Sequence, residues 1–189
     1  MEPDFEFERD AYARGFARVA GVDEVGRGPL AGPVTAAAVV LDPERIPEGL
    51  NDSKKLTKRA RERLYEEILA VADVSIAHAS VEEIEELNIL RASHLAMVRA
   101  LAGLRTPADF ALIDGNMVPR DLVIKSQTVI KGDARSQSIS AASIMAKICR
   151  DCVMGYGSKS HIEALQNLGV TPHHRRLFKP VHNMLYQDK

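Results

Sequence analysis

The mostly apolar run from Val34 to Leu41 does most to limit what this chain can become. It lacks the in-out alternation of a strand with one wet face, so it reads as a strand buried on both sides. Such a strand needs a layer of structure over each face. It is the richest apolar run in the sequence, yet it falls far short of the roughly 18 residues that a membrane-spanning helix takes. At 189 residues, 46% hydrophobic and 27% charged, the chain holds material for one globular core and demands no second domain.

The other elements fall around that strand. Arg18 to Val25 reads as a strand stopped by Gly26-Arg27-Gly28-Pro29, and Val74–Ala79, Phe110–Ile113 and Gln127–Ile130 read as further strands. Leu56, Ala60, Leu64, Ile68 and Val71 make a helical stripe over about Thr57 to Ala72. Ser80 and Glu83 form a capping box, and the helix it opens breaks near Asn88 and ends at Gly103, a C′ residue. Ile139 to about Asp151 and about His161 to Leu168 are also helical. Early strands follow one another closely and later ones alternate with helices. The expected fold is α/β: a mixed five-stranded sheet flanked by helices, with a small helical extension at the C-terminus. Residues 1–17 are charged and irregular and read as a loosely held arm, followed by a catalytic domain over 18–154 and an extension over 155–189.

Composition excludes several functions. Net charge is −1, which rules out a uniformly cationic, non-specific nucleic-acid binder but not a local basic patch. Five per cent aromatic residues argues against a groove that stacks many bases. Glu2, Asp4, Glu6 and Glu8 replace the basic start of a secretory signal, and two cysteines build no disulfide framework. The expected setting is a reduced cytoplasm. Cys149 and Cys152 form a C-x-x-C inside a helix with no second pair, so both read as packing residues.

Asp23-Glu24, Asp114 and Asp133 share one context: each ends an apolar strand beside glycine or a turn. Strand ends of α/β sheets are where sites are built. If the strands lie side by side, four poorly solvated carboxylates converge, tolerable only with protons or cations between them. Oxygen ligands suit Mg²⁺ or Mn²⁺, and two such ions about 4 Å apart can activate a water and support the leaving oxygen of a phosphodiester. Asp133 alone reads equally well as a turn or helix cap. Asp23-Glu24 is harder to explain structurally, because alternation turns one of the pair inward and a buried unpaired carboxylate is costly.

At these residues the sequence resembles bacterial ribonuclease HII. The similarity runs through Gly21 to Val34, Leu50 to Leu56, Leu87 to Leu90, Leu112 to Asn116, Lys131-Gly132-Asp133, Ser138 to Ile144 with Ala146-Lys147, and His174-Arg175-Arg176. The resemblance implies an RNase H-like fold and divalent-metal cleavage of RNA in duplexes with DNA. It assigns the metal-binding, catalytic carboxylates to Asp23, Glu24, Asp114 and Asp133. It also assigns the loop that reads a ribose 2′-hydroxyl to Gly26-Arg27-Gly28, and a sugar-stacking tyrosine to Tyr156. Glycines suit close approach to a sugar, and the 2′-hydroxyl is what separates RNA from DNA. The implied partners are RNA/DNA hybrids and ribonucleotide-containing duplex DNA, with the protein a monomer. One departure stands out: only Cys152-Val153-Met154 separates Arg150-Asp151 from Gly155-Tyr156-Gly157, where relatives carry a longer segment. If that segment is deleted, the alternative is a hybrid-binding protein with impaired cleavage. A junction resolvase of the same fold fits less well, given Gly26-Arg27-Gly28.

Candidate phosphate contacts complete the reading. Ser140, Ser143, Lys147 and Arg150 fall at i, i+3, i+7 and i+10, one polar stripe near the carboxylates. Asn51, Lys54 and Lys55 sit before a helix whose cationic first turn opposes its own dipole, which an external anion would explain. Arg175 and Arg176 form a third basic spot beside His173 and His174.

Overall fold

The structure, a computed structural model, describes residues 2–153 and 170–186. Five strands form one mixed sheet: β1 (Val19–Val25), β2 (Val34–Val40), β3 (Asp73–Ala79), β4 (Phe110–Asp114) and β5 (Lys125–Val129). Their order is β3-β2-β1-β4-β5. β1 runs antiparallel to β2 and parallel to β4; β2 and β3 are antiparallel, β4 and β5 parallel. The first three strands are neighbours in an antiparallel array, with α2 (Lys58–Val71) inserted between β2 and β3, and the helices α3 (Val81–Leu87) and α4 (Ile89–Ala102) lie between β3 and β4. Such a crossover is what returns a chain to a parallel neighbour.

β2 is buried along its whole length. Val34, Ala36, Ala38 and Val40 pack with Ile84, Ala92, Ala96 and Met97 on one side of the sheet. Ala37 and Val39 pack on the other with Leu64 and Ile68 of α2 and with Ala141, Ile144 and Met145 of α5 (Gln137–Val153). The small alanines let both helical layers come close. Closest of all is α5 on β1 at Gly21, where a Cβ would stand 2.1 Å from the carbonyl carbon of Ser138. That contact fixes the α5 face opposite the end of β1.

Local signals hold where they are local. The Thr57 hydroxyl caps α2, Ser80 and Glu83 make the reciprocal box at α3, and Asn88 accepts from the amides of Leu90 and Arg91 to start α4. Gly103 differs from expectation. It ends α4 at φ −86°, not in the left-handed region; a Cβ there would meet the Ser75 hydroxyl at 2.4 Å.

The N-terminal arm is likewise corrected. Residues Glu6–Ala13 form a helix, α1, docked on the sheet. Phe5 and Ala11 are buried, and Phe7, Tyr12 and Phe16 pack around Val19, Phe110 and Ile139. Fully buried Glu8 accepts from the Ser136 hydroxyl at 2.6 Å and the Ser138 amide at 2.9 Å. Hydrogen bonds between Asp4 and residues 135 and 137 complete the clamp. The N-terminal segment therefore holds the turn that carries Asp133.

Near the C-terminus, α6 (Lys179–Tyr186) lays Val181 on Leu30, with Phe178 and Met184 beside it. The expected helix over His161 to Leu168, Tyr156 and the Met154–Gly155 junction lie outside the described residues. Among the described residues no helix is long and apolar enough to cross a membrane.

Candidate active site

The sheet order brings the acidic positions together. β1 and β4 are adjacent and parallel, with Val22 opposite Ile113, so Asp23 and Asp114 follow one another into the same end of the sheet. Asp133 arrives on a 3₁₀ turn, Gly132–Ala134, just after β5. The Gly132 amide donates to Asp114 at 2.6 Å and ties that turn to β4. A side chain at 132 is excluded: its Cβ would stand 2.5 Å from Ile139 and 3.1 Å from the Asp114 carboxylate.

Asp23 is 6% exposed and accepts from the Glu24 amide at 2.7 Å. Burial holds its carboxyl well above the ordinary range; Glu24, Asp114 and Asp133 push the same way, and the Ser143 hydroxyl opposes them. Burial also raises Glu24, against Arg27, whose guanidinium lies 3.3 Å from it. Asp133 is raised by burial, then by Asp114 and Asp52, against Lys54 at 3.6 Å. Lys54 is lowered by burial, but Asp133, Asp52 and Asp23 outweigh that and raise it. Among the described residues five acidic groups, Asp52 included, therefore face two cationic ones, in a setting that penalises charge. Among the described residues no three acidic, His or Cys side chains are preassembled to ligate a metal. Each carboxylate is instead held by the donors just named. The donor set is all hard oxygen with surplus negative charge, which fits Mg²⁺ or Mn²⁺ rather than a softer ion.

A stability test follows. Carboxyls raised above their unfolded values support the fold while protonated, and that support is lost as pH rises through the native values. With chelator present, the melting-temperature difference between Asp23→Asn and wild type should grow in the variant's favour from about pH 4 to about pH 8. A divalent cation should narrow the gap. A constant difference across that range would remove Asp23 as its source.

The predicted phosphate contacts divide. Lys54 and Lys55 are exposed, with Lys54 reaching Asp133. The Asn51 carbonyl accepts from Ser140 at 3.0 Å, and Ser53 and Ser143 share a hydroxyl hydrogen bond of 2.9 Å. Ser140 and Ser143 are buried, so the stripe on α5 is not a solvent-facing phosphate face; it pins the 51–53 loop and touches Asp23. Lys147 pairs with Asp151 at 3.0 Å. Arg150, 2% exposed, lies under Gly26 and beside Asp151, which corrects the expectation that it meets phosphate. Arg176 is exposed, with its amide donating to Glu85. His174 is buried against Thr171.

Arg175 is the largest correction. It is wholly buried and donates to five carbonyls: Gly26 at 2.6 Å, Arg27 at 3.2 Å, Pro29 at 2.9 Å, Gly32 at 2.8 Å and Pro33 at 3.0 Å. Burial, then Arg150, push it down to about 10, so it stays charged at neutral pH. It braces the Gly26-Arg27-Gly28 loop rather than binding substrate. Gly26 needs to be glycine for the protein's own sake, at φ +95°. Gly28 does not: its φ is unremarkable, and a Cβ there would meet no described residue within 4 Å. Among the described residues the loop therefore leaves an open space just where a side chain would fill it.

Acidic side chains at the ends of adjacent parallel strands, on a β3-β2-β1-β4-β5 sheet covered by helices, define a hydrolase of the RNase H-like fold. The ribonuclease HII family model matches residues 20–181. The chain belongs to the ribonuclease HII family and is an endonuclease of the RNase H type. A ribonuclease HII of Roseobacter denitrificans is 66% identical over 193 residues, covering 94% of this chain and 98% of the relative. An alignment that long on 94% of a 189-residue chain means that the relative carries internal residues with no counterpart here. The crystal structure of ribonuclease H2 from Pyrococcus horikoshii matches with a TM-score of 0.75 at 27% identity, over 90% of this chain and 98% of that one. A Bst ribonuclease HIII in complex with Mn²⁺ shares the fold, with a TM-score of 0.75 at 19% identity over 95% of this chain and 72% of that one.

Proposed function

We propose that this protein cuts the RNA strand of RNA/DNA hybrids and DNA duplexes that carry single ribonucleotides. Cleavage falls 5′ to the ribonucleotide and leaves a 5′-phosphate and a 3′-hydroxyl, with Mg²⁺ or Mn²⁺ as cofactor. The observation that carries this reading is the gathering of Asp23, Glu24, Asp114 and Asp133 beside a braced glycine loop with an open side.

Asp23, Glu24 and Asp114 are the ligands proposed for one divalent cation, and Asp133 joins in holding a second. When bound, such cations activate a water for attack on the phosphate and offset the charge that builds on the leaving 3′-oxygen. The protein's own part is mostly positioning. Arg175 ties down the carbonyls of Gly26 and Arg27, so the loop does not relax when a ribose docks. The open side of Gly28 admits the sugar and its 2′-hydroxyl, which a deoxyribose lacks. Glu24 holds Arg27 toward the cleft at 3.3 Å. Exposed Lys54, leaning on Asp133, is placed for a phosphate beside the scissile bond. The sugar-stacking role falls to Tyr156 by the family resemblance, and that residue lies outside the described ones.

With Mg²⁺ or Mn²⁺, the protein should cut a DNA duplex bearing one ribonucleotide on its 5′ side and leave an all-DNA duplex intact; end-group mapping of the products checks both. Tight binding of the ribonucleotide duplex without turnover would favour the second reading, a hybrid-binding protein with impaired cleavage. The internal residues this chain lacks relative to its Roseobacter relative are the observation behind that reading.

A further inference from the structure

Beyond the carboxylates lies a second concavity, a pocket of about 430 Å³ between α3, α4 and the loop after β4. Its apolar lining includes Leu90, Leu95, Met117 and Val118, and its cations are Arg91 and Arg120. Met117 and Val118 are about half exposed and adjacent, so together they present an apolar surface on the pocket wall. Both follow Asp114 by only three and four residues, so the loop that leaves the acidic cluster runs directly into this pocket. The opposite wall lies near Arg27 of the reading loop. His94, half-buried in the lining, is lowered by burial and then by Arg27 and Arg120, so it lies within electrostatic reach of both guanidinium groups.

We propose that this pocket seats the backbone of the nucleic-acid duplex as it continues past the Gly26-Arg27-Gly28 loop, with Arg91 and Arg120 on its phosphates and Met117 and Val118 against a sugar face. The inference rests on the ribonuclease reading above and extends it to an assigned contact for the flank of the substrate. Charge complementarity and continuity with the cleft favour this occupant. Arg91 and Arg120 line the pocket, Arg27 lies within electrostatic reach of His94 in its wall, and Asp121, beside Arg120, is the one acidic residue among the described lining. A phosphate backbone needs such cations, and positioning contacts of this kind carry no sequence information. An apolar wall with flanking arginines also matches the alternation of sugar and phosphate along a strand.

The test is binding of a DNA duplex of about two helical turns with one central ribonucleotide. Anisotropy is read with chelator present, so that nothing is cleaved. Across about 50 to 200 mM salt, Arg91→Ala/Arg120→Ala should weaken Kd about tenfold and reduce the slope of log K against log salt by about 2, near one per lost phosphate contact. Both side chains are exposed, so the fold is not at risk. Met117→Glu should weaken binding in the same direction by placing an anion against the strand. If wild type cleaves the duplex and the double variant keeps both its Kd and its salt slope, the pocket belongs to some other occupant, a protein or a second copy of this chain, and the inference falls. If wild type neither binds nor cleaves, the functional reading itself fails.

Discussion

Asp23→Asn is expected to lower kcat/KM on a ribonucleotide-bearing duplex by about 10³-fold or more, about 4 kcal/mol of transition-state stabilisation. The variant isolates charge from shape. An asparagine fills the same volume, keeps an oxygen to accept from the Glu24 amide and remains within reach of the Ser143 hydroxyl. What it lacks is the anion at the most buried point of the cluster, against which a divalent cation is held. Asp133→Asn should lose nearly as much. The double variant should lose little more than either alone, because groups that act as one unit are not additive. Affinity for the duplex without metal should be unchanged or tighter in both, since each removes a negative charge near phosphates. A variant that folds and still cleaves within tenfold of wild type would show that Asp23 holds nothing the reaction needs.

Much of this architecture was legible in the sequence because its signals are local. An apolar run without alternation gives a doubly buried strand, and β2 is one. Ser-x-x-Glu and an asparagine at a helix junction are chemical instructions to the nearest amides, and both are followed. Acidic residues that interrupt apolar strands next to glycine mark strand ends, so four site positions could be named. Their convergence could not be read that way. It depends on β4 lying beside β1, a pairing between segments some ninety residues apart that no local pattern states.

What stayed hidden is tertiary by nature. The apolar face of α1 is masked in sequence by Glu6, Glu8, Arg9 and Asp10, and it gains stability only against β1, β4 and α5. Serines at helical spacing look like a phosphate face until the loop at 51–53 is seen to use them. Arg175 sits in a His-His-Arg-Arg run that reads as surface, yet its five acceptors lie 142 to 149 residues earlier in the chain. A guanidinium that serves backbone carbonyls leaves no compositional trace.

That burial makes Arg175→Ala the substitution with the largest expected effect on stability. Removing the side chain strands up to five carbonyls in a place water does not reach, each worth about 1 to 3 kcal/mol if left unmet, with partial relaxation of the loop limiting the sum. A net loss of about 4 kcal/mol is expected, which for a chain of this size lowers the melting temperature by roughly 10 °C. Arg175→Lys is the sharper variant. It keeps the charge and much of the volume, but an ammonium has three donors and no planar fork, so it reaches only part of the acceptor set. It should melt between the alanine variant and wild type. It should also cut the ribonucleotide duplex with a raised KM, because the Gly26-Arg27-Gly28 loop is no longer held in one shape. A substrate-contacting arginine would behave differently: lysine would largely rescue phosphate binding, and the melting temperature would scarcely move. Thermal melting alongside steady-state kinetics separates the two, and a lysine variant as stable as wild type would return Arg175 to the substrate.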